Sequence, residues 1–172
     1  MKLEKKLFNS IKNKKDLSLY LKKAILTIFN YHKYKKTILF VGNFSSKNKI
    51  FINKKFKTSH IFLSDSDWVY GMLTNKTSFI KSLKKKNDKK LKDYNLQKYI
   101  TKTKKPDLIV ILNITHNNAL IKESLKLKIP IISFVKNKFN NFILYPITVD
   151  KNIKIINFNF IFYLLNSLLK RK

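Results

Sequence analysis

The sequence predicts a three-layer α/β fold, with helices on both faces of a parallel sheet of about five strands and a short helical hairpin insert. Three observations predict it. Strand-length apolar runs such as Ile38-Leu39-Phe40-Val41 and Leu108-Ile109-Val110-Ile111-Leu112 are continuous rather than alternating, as in strands buried on both faces. Such runs alternate along the chain with amphipathic helical stretches, the order that builds a parallel sheet. Finally, 44% hydrophobic content over 172 residues allows one sizeable core and argues against disorder throughout.

Each element follows from local pattern. Residues 1–15 are basic and weakly patterned and read as an N-terminal arm. Asp16 is placed to cap a helix whose inner face carries Leu17, Tyr20, Leu21, Ala24 and Ile28 and which reaches about Tyr34, with Lys22 and Lys23 outside. Thr37 to Gly42 is the first strand. Ser45 caps a helix through about Phe56, with Ile50 and Phe51 inward, and Ser59 to Leu63 is a second strand. Asp65 to Asn75 is a loop holding WVYGMLTN, residues 68–75, where the only tryptophan meets one of two glycines and one of two methionines.

Thr74 or Asn75 caps the next helix, striped by Phe79, Ile80 and Leu83, before the charge run Lys84 to Lys90 interrupts any core. Weak periodicity returns at Leu91, Tyr94 and Leu96, so residues 79–105 read as the hairpin insert between domain segments 16–78 and 106–172. Pro106-Asp107 marks the return. Leu108 to Leu112 is the clearest strand, His116 to Lys128 a helix with Ala119, Leu120, Leu125 and Leu127 among its apolar residues, and Pro130 to Val135 and Phe142 to Ile147 are the last strands. Ile153 to Leu169 closes the chain as a helix, with Lys170, Arg171 and Lys172 suited to its negative end. The whole is a flavodoxin-like arrangement.

Charge narrows the function. Thirty-eight basic residues against nine acidic leave a net charge of +29, and a free globule so charged repels itself. A polyanion is the partner such a surface implies, through lysines that neutralise phosphates and release counterions. Arg171 is the only arginine, and with abundant Asn, Ile and Phe this points to AT-rich coding. Lysine acts as a point charge without arginine's bidentate fork, which suits phosphate neutralisation better than base reading. The absence of cysteine excludes disulfides, thiolate metal sites and cysteine nucleophiles. The N-terminus carries neither a secretory nor a typical transit pattern, so the chain is expected to be made where it works.

Four blocks in order resemble the universal S-two family of small-subunit ribosomal proteins. TILFVG at 37–42 looks like the family's first strand. WVYGMLTN resembles the family's W-L-G-G-M-L-T-N, followed by a helix of similar type. PDLIVIL at 106–112, then His116, Ile121-Lys122-Glu123 and Ile129-Pro130, resembles the family's strand, helix and entry into the next strand, and Tyr145-Pro146-Ile147 resembles its short late strand. There are departures: Tyr70 stands for the first glycine of the family's pair, Asn113 and Lys136 for two aspartates, and Thr148-Val149-Asp150-Lys151 for a P-G-N-D turn. The family's N-terminal glycine-histidine segment is missing and the hairpin is shorter than in bacterial members.

The resemblance implies a structural constituent of the small ribosomal subunit, with small-subunit rRNA and neighbouring ribosomal proteins as partners and a place near the junction of head and body. Contact with rRNA is expected at Lys47, Lys49, Tyr70, Thr74, Asn75, Lys76, Lys81, Lys84, Lys85 and His116. Trp68, Gly71, Met72, Leu73 and Pro130 are expected as structural anchors, Trp68 and Met72 packing the domain against its hairpin. The reduced, lysine-rich form implies an organelle-encoded mitochondrial protein, ahead of a plastid one. No homo-oligomer is expected.

Enzyme chemistry finds little support in the residues. His32, His60 and His116 lie on separate elements without the paired spacing of a metal site; the first two are expected to be structural, and His116 to cap a helix or touch RNA. Asp65 and Asp67 follow a strand, where acids are often catalytic, but their surroundings favour capping the loop or pairing with a cation. Asp107 precedes its strand, at the wrong sheet edge for catalysis, and is expected to pair with Lys104 or Lys105. Gly42 stands alone where a nucleotide-binding fold needs a glycine-rich turn. Phe158 to Leu169 is shorter than the ~20 residues a membrane span needs. Hence no catalytic residue, metal or cofactor is expected. A nucleic-acid-binding protein outside the ribosome and a nucleotide-using α/β enzyme without standard motifs are the alternative classes.

Overall fold

The computed structural model describes residues 19–42, 60–64, 68–85, 94–101, 104–112, 118–135 and 143–148. Five strands form one sheet: β1 (Ile38–Gly42), β2 (Ile61–Ser64), β3 (Leu108–Ile111), β4 (Ile131–Val135) and β5 (Tyr145–Thr148). Their order is β2-β1-β3-β4-β5, every neighbour pair is parallel, and the order is that of the flavodoxin-like fold. The helices are α1 (residues 19–33), α2 (Lys76–Lys85), α3 (Tyr94–Thr101) and α4 (Asn118–Lys126). The expected arm at 1–15, the helix from Ser45 and the closing helix from Ile153 lie outside the described residues.

The continuous apolar runs divide by parity between two cores. Ile38 and Phe40 of β1 face one side, with Phe62, Leu108, Val110, Ile132 and Ile147, and Ala24 and Ile28 of α1 cover them. Leu39 and Val41 face the other, with Ile61, Leu63, Ile109, Ile111 and Ile131. There the cover is Met72 and Leu73 from the loop, Phe79 of α2, Tyr99 of α3 and Leu120 of α4. Alternation with a period of two, apolar in both phases, is what burial on both faces requires. Register sharpens the packing: Phe40 stands opposite Phe62, and their rings stack 4.8 Å apart.

Two helix ends explain how a chain with two glycines turns so often. After α1, Lys36 N–H reaches Tyr31 O and Lys35 N–H reaches His32 O, both at 2.9 Å, with Lys35 at φ +54°. After α4, Ile129 N–H bonds Ser124 O at 2.9 Å and Lys128 N–H bonds Leu125 O at 3.0 Å, with Lys128 at φ +55°. Both are Schellman caps with lysine in the left-handed position that glycine usually fills. The backbone strain is offset in part by a cation at the negative end of each helix.

At the amino edge of the sheet Asp107 ties β1 to β3. Its Oδ2 accepts from Thr37 N–H at 2.8 Å, its own N–H donates to Thr37 O at 2.8 Å, and Lys36 lies 3.9 Å from Oδ1. The partner is thus Lys36 rather than Lys104 or Lys105, because parallel pairing of β1 with β3 brings the residues before each strand together.

Candidate nucleic-acid interface

The loop between β2 and α2 is held from below by one carboxylate. Glu123 projects from α4 in the same helical register as Leu120, Ser124 and Leu127, so it points into the core and is 1% exposed. Its Oε1 accepts from Gly71 N–H at 2.8 Å; its Oε2 accepts from Leu73 N–H at 2.9 Å, from Thr74 N–H at 3.1 Å and from the Thr74 hydroxyl at 3.3 Å. A tight turn has aimed its amides at one point, forming an anion-binding nest, and the protein fills that nest with its own carboxylate. Charge-assisted bonds of this kind satisfy a buried anion and fix the loop's shape.

Gly71 sits at φ +92°, a conformation that costs other L-residues. An added Cβ would meet only Asn75 Cβ at 3.9 Å, so backbone conformation and not space demands glycine here. Tyr70, which the resemblance sets where a glycine is expected, is not among the residues with positive φ, so a phenol stands there without strain.

A second tie comes from α3. Tyr99 is buried, and its hydroxyl donates to Met72 O at 2.5 Å. Lys76 donates to Tyr99 O at 2.7 Å, and its ammonium lies 4.6 Å from the centre of the Tyr99 ring. Burial lowers the Lys76 pKa, while burial first and the Glu123 charge second push the Tyr99 phenol well above its ordinary value. Trp68 sets its ring edge toward Tyr99 at 6.5 Å, with its indole N–H buried and unpartnered among the described residues. Val69 N–H is 3.1 Å from Met72 Sδ.

What is clamped inside determines what is shown outside. Leu73 and Met72 are buried, whereas Val69, Tyr70, Thr74 and Asn75 are exposed, Tyr70 at 63%. Asn75 occupies the N-cap position of α2, its carbonyl accepting from Phe79 N–H at 3.1 Å, while the Thr74 hydroxyl turns to Glu123 instead. Lys81 is exposed on α2, Lys84 and Lys85 lie in its last turn, and Pro130 leads into β4 with its carbonyl accepting from Ile109 N–H. Lys47, Lys49 and His116, with Asp65 and Asp67, lie outside the described residues.

Sequence reasoning missed two parts of this arrangement and one contact on the other face of the sheet. Glu123 entered only as a letter in a resembling block, and Tyr99 not at all. A lone acid between Leu120 and Leu127 on the inner face of a helix was the available signal for the first. The third is a histidine pair: His32 of α1 and His60 before β2, treated as separate, meet with Nδ1 and Nε2 2.9 Å apart. His60 Nδ1 accepts from Ile38 N–H at 3.3 Å, so a neutral His60 carries its proton on Nε2 and donates it to His32. His60 is thus a satisfied core histidine, and no cluster of three metal-ligating side chains exists among the described residues. Among those residues, too, no helix is long and apolar enough to cross a membrane.

Comparison with known families agrees with the blocks of sequence. The family model described as Ribosomal protein S2 matches residues 8–105 and 82–167, which together span most of the chain. That family is one of structural components of the small ribosomal subunit and is not a family of enzymes. With the sheet order, the clamped loop and the match all in place, the chain belongs to the ribosomal protein S2 family.

Proposed function

We propose that this chain is a structural constituent of a mitochondrial small ribosomal subunit, binding rRNA and neighbouring ribosomal proteins. The observation that carries the RNA reading is the clamped loop. Two independent ties, Glu123 and Tyr99, hold a segment whose outward side chains are an aromatic ring and short polar groups. A preformed surface of that kind binds without first losing loop entropy, and an exposed tyrosine offers a face on which an unpaired base can stack. The net charge of +29 supplies the sequence-independent attraction to phosphates. Lys47, Lys49, Lys81, Lys84, Lys85 and His116 are the further contacts proposed, with Thr74, Asn75 and Lys76 beside the loop.

Lys76 enters on different terms from the rest. Its ammonium is engaged with Tyr99, so its contribution to RNA is a fixed positive charge near the loop. The mitochondrial assignment rests on the lysine-dominated, arginine-poor composition and the shortened hairpin. Replacing Tyr70 by alanine is expected to weaken binding of the full chain to a small-subunit rRNA transcript roughly tenfold, the loss of one stacked base, with unchanged thermal stability. Equal affinity at several salt concentrations would remove Tyr70 from the interface.

A further inference from the structure

A cleft of about 440 Å³ opens between α2, α3 and the segment leading into β3. We infer that this cleft receives one unpaired nucleotide of a single-stranded RNA, with its base on the aliphatic wall and its phosphate at the lysine rim. The inference rests on the ribosomal reading above and adds to it a specific site.

The lining divides by chemistry. Leu73, Ile80, Ile100 and Pro106 present an apolar wall; Lys76, Lys104 and Lys105 bring three cations, and among the described residues no acid lines the cleft. Its volume lies within the ~300–1,000 Å³ of small-ligand clefts. An apolar slot with three lysines at its edge complements a ligand that is flat and apolar at one end and anionic at the other, which is the chemistry of a nucleotide. An aliphatic acid would satisfy the wall less fully, and an acidic peptide would lack a planar group to fill it.

The seating is further constrained. The Tyr99 ring already carries the Lys76 ammonium at 4.6 Å, which leaves Ile80, Ile100 and Pro106 as the surface for the base. Lys104 and Lys105 are exposed at the rim, where a phosphate can keep part of its hydration. Thr74 and Asn75 line the cleft and also belong to the exposed loop, so a strand passing over Tyr70 has a continuous path to it. That continuity favours a nucleotide within a strand over a free one.

The test uses the full chain with a 12-nucleotide single-stranded RNA bearing 4-thiouridine, a duplex of the same sequence, and AMP. Expected are photo-cross-links to peptides containing Thr77 and Ile80 or Ile100 and Pro106, suppressed by unmodified single strand and not by duplex or millimolar AMP. Thr77→Trp, at an exposed lining position, should fill the slot and lower affinity about tenfold. The double variant Lys104→Ala, Lys105→Ala should flatten the salt dependence of log Kd by up to about 1.4, at ~0.7 per phosphate on a single strand. Circular dichroism matching the unaltered chain shows that both variants fold. Cross-links confined to other surfaces, or unchanged affinity in Thr77→Trp, overturn the inference. Displacement by AMP overturns it too, by making the ligand a free nucleotide. In each case a chain that still sediments with small subunits keeps the ribosomal reading, and a chain that does not loses that reading separately.

Discussion

Glu123 is the residue on which the loop depends, because its two oxygens take four hydrogen bonds from three residues of one turn, Gly71, Leu73 and Thr74. Replacing it with glutamine keeps the volume but turns one acceptor into a donor facing N–H groups. Hydrogen bonds to buried charges are worth about 1.5–3 kcal/mol each in mutational terms. Glu123→Gln should therefore lower stability by about 2–3 kcal/mol, read as a fall in the urea midpoint; a change under about 0.5 kcal/mol would show the clamp to be incidental. Tyr99 gives the pH dependence. The unfolded phenol loses its proton near its ordinary value of 10.0, while the folded one keeps it to higher pH. The folded state then binds more protons, so this contribution is present below about pH 10 and stability declines as pH rises above it, by up to ~1.4 kcal/mol per pH unit. Lysine titration overlaps this range, so the comparison is with Tyr99→Phe, whose urea midpoint should fall less steeply between about pH 10 and 11. Parallel declines would mean that the phenol is not held neutral by burial. Neither residue was legible as a clamp in the sequence, since 49 to 52 residues separate Glu123 from the amides it holds. By contrast the loop it holds was legible, because scarce residue types in a lysine-dominated chain mark positions where composition bias has been overruled.

Strands and helices were easier to read than their contacts, for a physical reason. A continuous run such as Leu108 to Ile111 states by itself that both faces are covered. What covers them depends on sheet order, and so Asp107 was assigned to the wrong lysine and the His32–His60 contact between α1 and the sheet went unseen. Boundaries shifted where a residue outside the ladder had other work. His60 precedes β2 with its ring bonded to Ile38 N–H, and the strand expected from Phe142 starts at Tyr145, after Leu144 N–H has bonded Ile131 O at 2.9 Å. Of the stretch expected from Leu91 to Lys105, the described residues hold α3, eight residues long, and leave Lys104 and Lys105 outside it, the latter before Pro106, whose ring disfavours helix in the residue preceding it. The lysine caps yield a prediction at this scale. Lys128→Gly relieves a positive φ in a Schellman cap and removes a cation from the helix end, so the net gain should be about 0.5–1 kcal/mol in unfolding free energy. A loss of stability in that variant would mean the charge outweighs the backbone strain.

For the molecule as a whole, two cores of opposite parity give the sheet its rigidity, and a net charge of +29 supplies an attraction that needs a polyanion to balance it. The same charge explains why composition alone suggests a class of partner but no contact surface: lysines are spread along the chain, and among the described residues the clamped loop and its adjoining cleft are what distinguish one face from another. Sedimentation of small subunits, mitochondrial ones under the assignment proposed above, through a gradient in about 0.5 M monovalent salt, where loosely held cationic proteins are stripped, with and without prior ribonuclease, tests this most directly. The chain is predicted to travel with the small-subunit rRNA at that salt and to leave the particle fraction once the rRNA is digested. Recovery at the top of the gradient, unaffected by ribonuclease, would contradict the account.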